Sequence, residues 1–199
     1  MSAMTDEHPS AQLPLDLARG PGMSRDELVV TGANAAAIAL IDRWPDWQTP
    51  VVVLAGPAGS GKSHLAAIWT EAAHASAADL RRIGSDAISV AASGGAVLVD
   101  GVEGSIDETG LFHLINAARE GGGHVLLTSR RFPAAWGVRL PDLASRLKAA
   151  TIVEIAEPDD LLLTAVVTKL FADRQVQVEP HVVSYIVNRI ERSLSTAMN

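Results

Sequence analysis

The sequence predicts an α/β fold, a mostly parallel sheet sandwiched by helices. Three observations carry that prediction. Short apolar runs at 51–55, 96–99 and 124–128 alternate with stretches of helical pattern. The octapeptide Gly56-Pro57-Ala58-Gly59-Ser60-Gly61-Lys62-Ser63 fits G-x-x-x-x-G-K-[ST], the phosphate-binding P-loop, and joins the first run to a helix-like stretch over 62–74. The second run ends in an acid, Asp100.

Each element has its own reason. Residues 1–24 contain Pro9, Pro14, Pro21, Gly20 and Gly22 and lack helical periodicity, which predicts a flexible arm. An Ala-rich helix over 34–44 is ended by Pro45. Val51 to Ala55 is the first buried strand. The stretch 76–93 resists reading, and a short strand at 80–83 is the one element it suggests. Residues 96–100 form the second buried strand. Over 107–120, Leu111, Leu114, Ile115 and Ala118 share one helical face, and Gly121-Gly122-Gly123 stops the helix. A strand at 124–128, a short helix or turn at 144–147 and a strand at 151–155 follow. Helices over 159–172 and 179–191 complete the chain. The implied division is an arm (1–24), an α/β core (25–157) and a helical lid (158–199).

The composition is that of a soluble globular protein, with 48% hydrophobic and 20% charged residues. Only 4% is aromatic, so the core is expected from Val, Leu, Ile and Ala. With no cysteine there are no disulfides, which suits a cytoplasmic location. Met1 to Ser10 is polar and acidic, unlike a signal peptide, and no apolar run reaches membrane-spanning length. Net charge is −7, and the basic pairs Arg81-Arg82 and Arg130-Arg131 read as solvated surface, so no strong direct nucleic-acid binding is expected. Six scattered histidines lack metal-ligand spacing.

The P-loop spacing has a chemical reason. Glycines let the backbone turn several N–H groups toward one anion, and the following helix adds partial positive charge. Lys62 reaches terminal phosphates, Ser63 offers a hydroxyl to Mg²⁺, and His64 continues the loop into the helix. Asp100 fits the Walker B acid that holds the metal's water shell. Ser63 and Asp100 are thus the Mg²⁺ residues, acting through the nucleotide.

In chain order, Gly-Pro-Ala-Gly-Ser-Gly-Lys-Ser (56–63), Val-Leu-Val-Asp (97–100), Leu-Leu-Thr-Ser (126–129), Ala-Ser-Arg-Leu (144–147) and Glu-Arg-Ser-Leu (191–194) resemble the AAA+ module of the bacterial initiator DnaA and its shorter relatives. Phe112-His113 and Asn116-Ala117 resemble that family's helix after Walker B, and Leu28-Val29-Val30 with Asn34 its adenine-wrapping segment. The resemblance covers residues 25–199 and implies several roles. Ser129 would be the sensor 1 residue beside the terminal phosphate. Arg146 would be an arginine finger projecting to a neighbour's nucleotide. Arg192 would be the sensor 2 arginine, with Arg189 the competing choice. Hydrolysing AAA+ proteins usually carry a second acid after the Walker B Asp; here Gly101 stands there, so weak or no intrinsic ATPase is expected, with ADP or ATP held. The lid is expected to be small: either it is minimal, or the chain is truncated and the apolar faces over 161–171 and 182–187 are partly uncovered.

The arm segment Gln12-Leu13-Pro14-Leu15-Asp16-Leu17 resembles the hexapeptide that docks into an apolar groove of the replication sliding clamp, with Gln12, Leu13, Leu15 and Leu17 as contacts. A clamp motif before a DnaA-like module without a DNA-binding domain resembles the Hda regulators (HdaA in alphaproteobacteria). That resemblance implies DnaA and the DNA polymerase III clamp as partners, a possible homodimer, and stimulation of ATP hydrolysis by DnaA. Three alternatives stay open. A DnaC- or IstB-like loader ATPase would want an acid at Gly101. A small P-loop kinase would want a basic lid. An interaction protein with a decayed site would not keep Lys62, Ser63 and Asp100.

Overall fold

The computed structural model describes residue 25, residues 28–190 and residues 192–198. The clamp-like segment with Gln12, Leu13, Leu15 and Leu17 lies outside the described residues. Five parallel strands form the sheet: β1 (Val51–Ala55), β2 (Ser76–Ala77), β3 (Ala96–Val99), β4 (His124–Ser129) and β5 (Thr151–Glu154), in spatial order β2-β3-β4-β1-β5. The helices are α1 (Ala35–Asp42), α2 (Lys62–Ala73), α3 (Ser85–Ala92), α4 (Glu108–Gly121), α5 (Pro141–Lys148), α6 (Asp160–Asp173), α7 (Pro180–Val187) and α8 (Leu194–Met198).

The sheet has a core on each face because β1 is apolar at every position and β3 and β4 carry apolar residues to both sides. Val51 and Val53 of β1, with Val125 and Leu127 of β4, pack against α3, α4 and α5 through Ala87, Leu111, Leu114, Ile115, Leu143 and Leu147. The alternate residues Val52, Leu54 and Leu126 pack against α1 and α2 through Ile38, Ile41, Leu65 and Trp69. Helix starts are fixed locally. Asp107 caps α4 by accepting from the Gly110 N–H at 2.9 Å, Asp159 caps α6 by accepting from the Leu162 N–H at 2.7 Å, and Pro141 and Pro180 open α5 and α7.

Two expectations change. Residues 80–83 are not a strand. Leu80 and Ile83 are buried, but the backbone there bonds to Asp107: the Asp107 N–H donates to the Leu80 carbonyl and the Ile83 N–H to Asp107 Oδ2. The sheet instead gains the two-residue β2, and 85–92 is helical. α7 ends at Val187, earlier than its apolar pattern suggests. The helices α6, α7 and α8 share a separate cluster built on Leu163, Val167, Val183 and Val187, with Leu194 and Ala197 packed against it. Leu161 and Tyr185 stay exposed on the outer faces of α6 and α7.

Candidate functional site

Strand order places the site. The chain leaves β1 for the far side of the sheet, returns through β3 and β4, then crosses β1 to reach β5. Connections diverge at the carboxyl ends of the central strands, where open α/β sheets leave a crevice. The P-loop follows β1 there, Asp100 follows β3, and Ser129 ends β4. The Gly56 N–H donates to the Ser129 carbonyl at 3.1 Å, so the loop is mounted on β4 from its first residue.

The loop itself is closely built. Gly59 and Gly61 have φ of +70° and +97°, a backbone that L side chains rarely adopt. A Cβ at Gly59 would also collide with Ser193, because the start of α8 lies on the loop and the Leu194 N–H donates to the Gly59 carbonyl at 2.8 Å. Lys62 is buried. Its ammonium donates to the carbonyls of Gly56 (2.8 Å) and Pro57 (2.6 Å) and to Ser60 Oγ (3.3 Å). Burial, and next the charge of Arg130, hold its pKa below the ordinary lysine value, while the charges of Glu103 and Asp100 pull it back up. Three acceptors keep the cation in place across the mouth of the loop.

Across from it, Ser63 Oγ donates to Asp100 Oδ1 at 3.4 Å, and Thr128 Oγ1 donates to the same oxygen. The Gly101 N–H donates to Thr128 Oγ1 at 2.8 Å. One hydroxyl thus links the backbone after the acid to the acid itself. Asp100 Oδ2 has no hydrogen-bond partner among the described residues. A serine hydroxyl and a carboxylate oxygen at this separation fit a hard cation held through a nucleotide and water. If Mg²⁺ binds, Ser63 and Asp100 would hold it, and it would supply charge neutralisation at the phosphates.

The remaining expected residues are placed as follows. Ser129 is buried. Its Oγ donates to the Val102 carbonyl (3.0 Å) and accepts from the Arg131 N–H (3.1 Å) and from Trp136 Nε1 (3.0 Å). One proton and two lone pairs are thereby used, which leaves the hydroxyl no capacity toward a phosphate. The β4 side chain that touches Asp100 is Thr128, which the sequence reading passed over; its signal was a hydroxyl inside an apolar strand. Gly101 has φ of +74°, so the backbone at that position favours glycine over an acid. Glu103 pairs with Arg130 at 2.9 Å. Arg192 reaches Asp160 of α6 at 3.0 Å rather than the loop, and Arg189 stacks on Tyr185 at 3.8 Å. His64 is half-buried in the first turn of α2.

Arg146 stands apart on α5, half-buried. Its side chain forms no ion pair or hydrogen bond among the described residues, not even with Asp142 four residues earlier on the same helix. A second overlooked residue sets that helix. The Glu108 carboxylate, in the first turn of α4, accepts from the Arg139 N–H (Oε2, 3.0 Å) and the Leu140 N–H (Oε2, 2.6 Å) at the entry to α5. Its partners lie 31 and 32 residues away, out of reach of local pattern.

Solved structures share this fold. A DNA replication initiation factor superposes with a TM-score of 0.75 at 16% identity, over 89% of this chain and 62% of that one. AMPPCP-bound DnaA from Aquifex aeolicus gives 0.71 at 16% identity, over 87% and 62%. The fold is that of a DnaA-like AAA+ core. Domain III of Thermotoga maritima DnaA agrees, with a TM-score of 0.70 at 16% identity over 90% of this chain and 85% of that one. The chain spans about three fifths of the first two relatives' length, 62% in each case. No protein-family model and no curated protein matches it. Among the described residues no helix is long and apolar enough to cross a membrane, and no cluster of three or more metal-ligating side chains occurs.

Proposed function

We propose that this chain is a nucleotide-holding AAA+ regulator of replication initiation, of the Hda kind. It binds ADP or ATP with Mg²⁺ in the P-loop, docks on the sliding clamp through Gln12, Leu13, Leu15 and Leu17, and stimulates ATP hydrolysis by DnaA through Arg146. The observation that carries the reading is a P-loop lysine, Ser63 and Asp100 gathered at the strand ends beside a left-handed Gly101. Lys62, Ser63 and Asp100 suit binding, while the position that would polarise an attacking water has no side chain. A pocket of this kind retains nucleotide and turns it over weakly. Its chemistry is then done on a neighbour's nucleotide, and Arg146, on a helix outside the pocket, has a charge with no ion pair among the described residues.

A guanidinium supplied in trans stabilises charge on the transferring phosphoryl group, worth about 10³–10⁵ in rate in GTPase systems. Lysine lacks that planar fork of donors. Arg146→Ala is therefore expected to keep folding, nucleotide affinity and clamp binding, and to lose clamp-dependent conversion of ATP-DnaA to ADP-DnaA. A mutant that converts ATP-DnaA at the parental rate on loaded clamps would refute the mechanism. The loader alternative is weaker because Gly101 supplies no acid; rapid multiple turnover by the isolated chain would restore it.

A further inference from the structure

Helix α5 carries Arg146, and its own sequence does little to fix how it enters the fold. Leu140 at its N-cap makes no side-chain cap, and Pro141 at the first helical position has no N–H to donate. The acceptor comes from another helix. Glu108, in the first turn of α4, takes the Arg139 N–H on both oxygens (Oε1 3.1 Å, Oε2 3.0 Å) and the Leu140 N–H on Oε2 at 2.6 Å. A carboxylate at a helix start also suits the partial positive charge there.

Packing supplies the rest of the hold on α5. Leu143 and Leu147 are buried in the core that α5 shares with α4. Apolar contacts are non-directional, so they fix the depth of a helix better than its rotation. The bonds to Glu108 are directional and charge-assisted, and they set α5 in rotation and along its axis. Successive helical residues turn by roughly 100°, which puts Arg146 beside the buried stripe of Leu143 and Leu147. A rotation of α5 therefore swings Arg146 directly. Arg146 is half-buried and has no ion pair or hydrogen bond of its own among the described residues to resist that swing.

We propose that Glu108 is a positioning residue for Arg146: by tethering the entry of α5 to the start of α4, it holds the guanidinium at the angle from which it reaches a neighbour's nucleotide. The inference rests on the reading of Arg146 given above. Glu108 itself is assigned no contact with nucleotide or partner. Catalysis is sensitive to such placement, and an error of about 1 Å can cost about a hundred-fold in rate. A cap that served stability alone would lower the unfolding midpoint and leave the rate unchanged.

The test uses the full chain with ATP-DnaA on clamp-loaded DNA, at a temperature below the unfolding transition of every variant. Varying the concentration of this chain separates the maximal rate of ATP-DnaA hydrolysis from the half-saturating concentration. Glu108→Ala should lower the maximal rate about ten- to a hundred-fold and move the half-saturating concentration by less than about two-fold. Glu108→Gln keeps a neutral acceptor oxygen and should lose only about two- to five-fold. In an Arg146→Ala background Glu108→Ala should cost nothing more, because it acts through that guanidinium. A parental maximal rate in Glu108→Ala, or a further loss of the same size in the double variant, overturns this inference and leaves Arg146 standing. Parental stimulation by Arg146→Ala, or no stimulation by the parent, overturns both.

Discussion

The same two strands, β1 and β4, end in opposite chemistries. At their amino-terminal ends Trp47 stacks on Trp69 at 5.3 Å and 12°, with Trp44 edge-on at 6.5 Å from Trp69 and His124 edge-on to both Trp44 and Trp47. At their carboxyl-terminal ends stand glycines at positive φ, a buried ammonium and a shared carboxylate oxygen. Each end holds a base whose pKa is pushed down by burial, and the handling differs. Lys62 is surrounded by three oxygen acceptors that keep serving its cation. His124 sits between indole edges, its pKa lowered below the ordinary 6.5 by burial against a smaller upward pull from a hydrogen bond with the Pro45 backbone. One end fills its buried volume with packed rings, the other with polar groups bonded to one another.

That contrast can be broken at either end. Trp69→Ala deletes the centre of the aromatic cluster and is expected to cost about 3–5 kcal/mol of folding stability, read by denaturant unfolding. Nucleotide affinity, measured below the unfolding transition, should not change. Thr128→Val works on the other end with a near-isosteric side chain. It leaves the Gly101 N–H without its acceptor and removes one of the two donors to Asp100, an expected loss of about 1–3 kcal/mol. Here Mg²⁺-dependent nucleotide binding should weaken as well. A Trp69 variant that loses nucleotide affinity, or a Thr128 variant that keeps it, would erase the distinction between the two ends.

The fold was legible because its signals are local. Short apolar runs bounded by turn residues read as buried strands, and β1 and β4 occur where those runs are. The stretch before β3 was not legible, since α3 buries only Ala87 and Ala91 and so has little apolar contrast to display. The apolar residues Leu80 and Ile83 are a loop because their backbone partners come from Asp107, more than twenty residues on. The P-loop could be read because its chemistry is contiguous. Thr128, Glu108 and the Arg130–Glu103 pair could not, because register and helix packing bring them to their partners. The three tryptophans at the far end make the same point: their clustering is invisible in a chain that is only 4% aromatic.

The smallest expected effect sharpens the comparison by pH. His124 has its folded-state pKa below the unfolded value of 6.5, so the unfolded chain binds more protons between those two values. The stabilisation from keeping it neutral is complete above 6.5, declines as pH falls below it, and levels off past the folded-state pKa. His124→Phe, which keeps the ring, should flatten that part of the stability–pH curve measured by thermal unfolding. A curve of unchanged shape would remove His124 from the account.

The central claim is that the carboxyl-terminal edge of the sheet is an adenine-nucleotide pocket centred on Lys62. It is tested most directly by purifying the full chain and its Lys62→Ala variant without added nucleotide, denaturing both, and identifying released small molecules by mass spectrometry. Near-stoichiometric ADP or ATP from the parent and none from the variant is the expected result. No nucleotide from either, with no thermal stabilisation of the parent by added Mg-ADP, would contradict the claim. So would equal nucleotide from both.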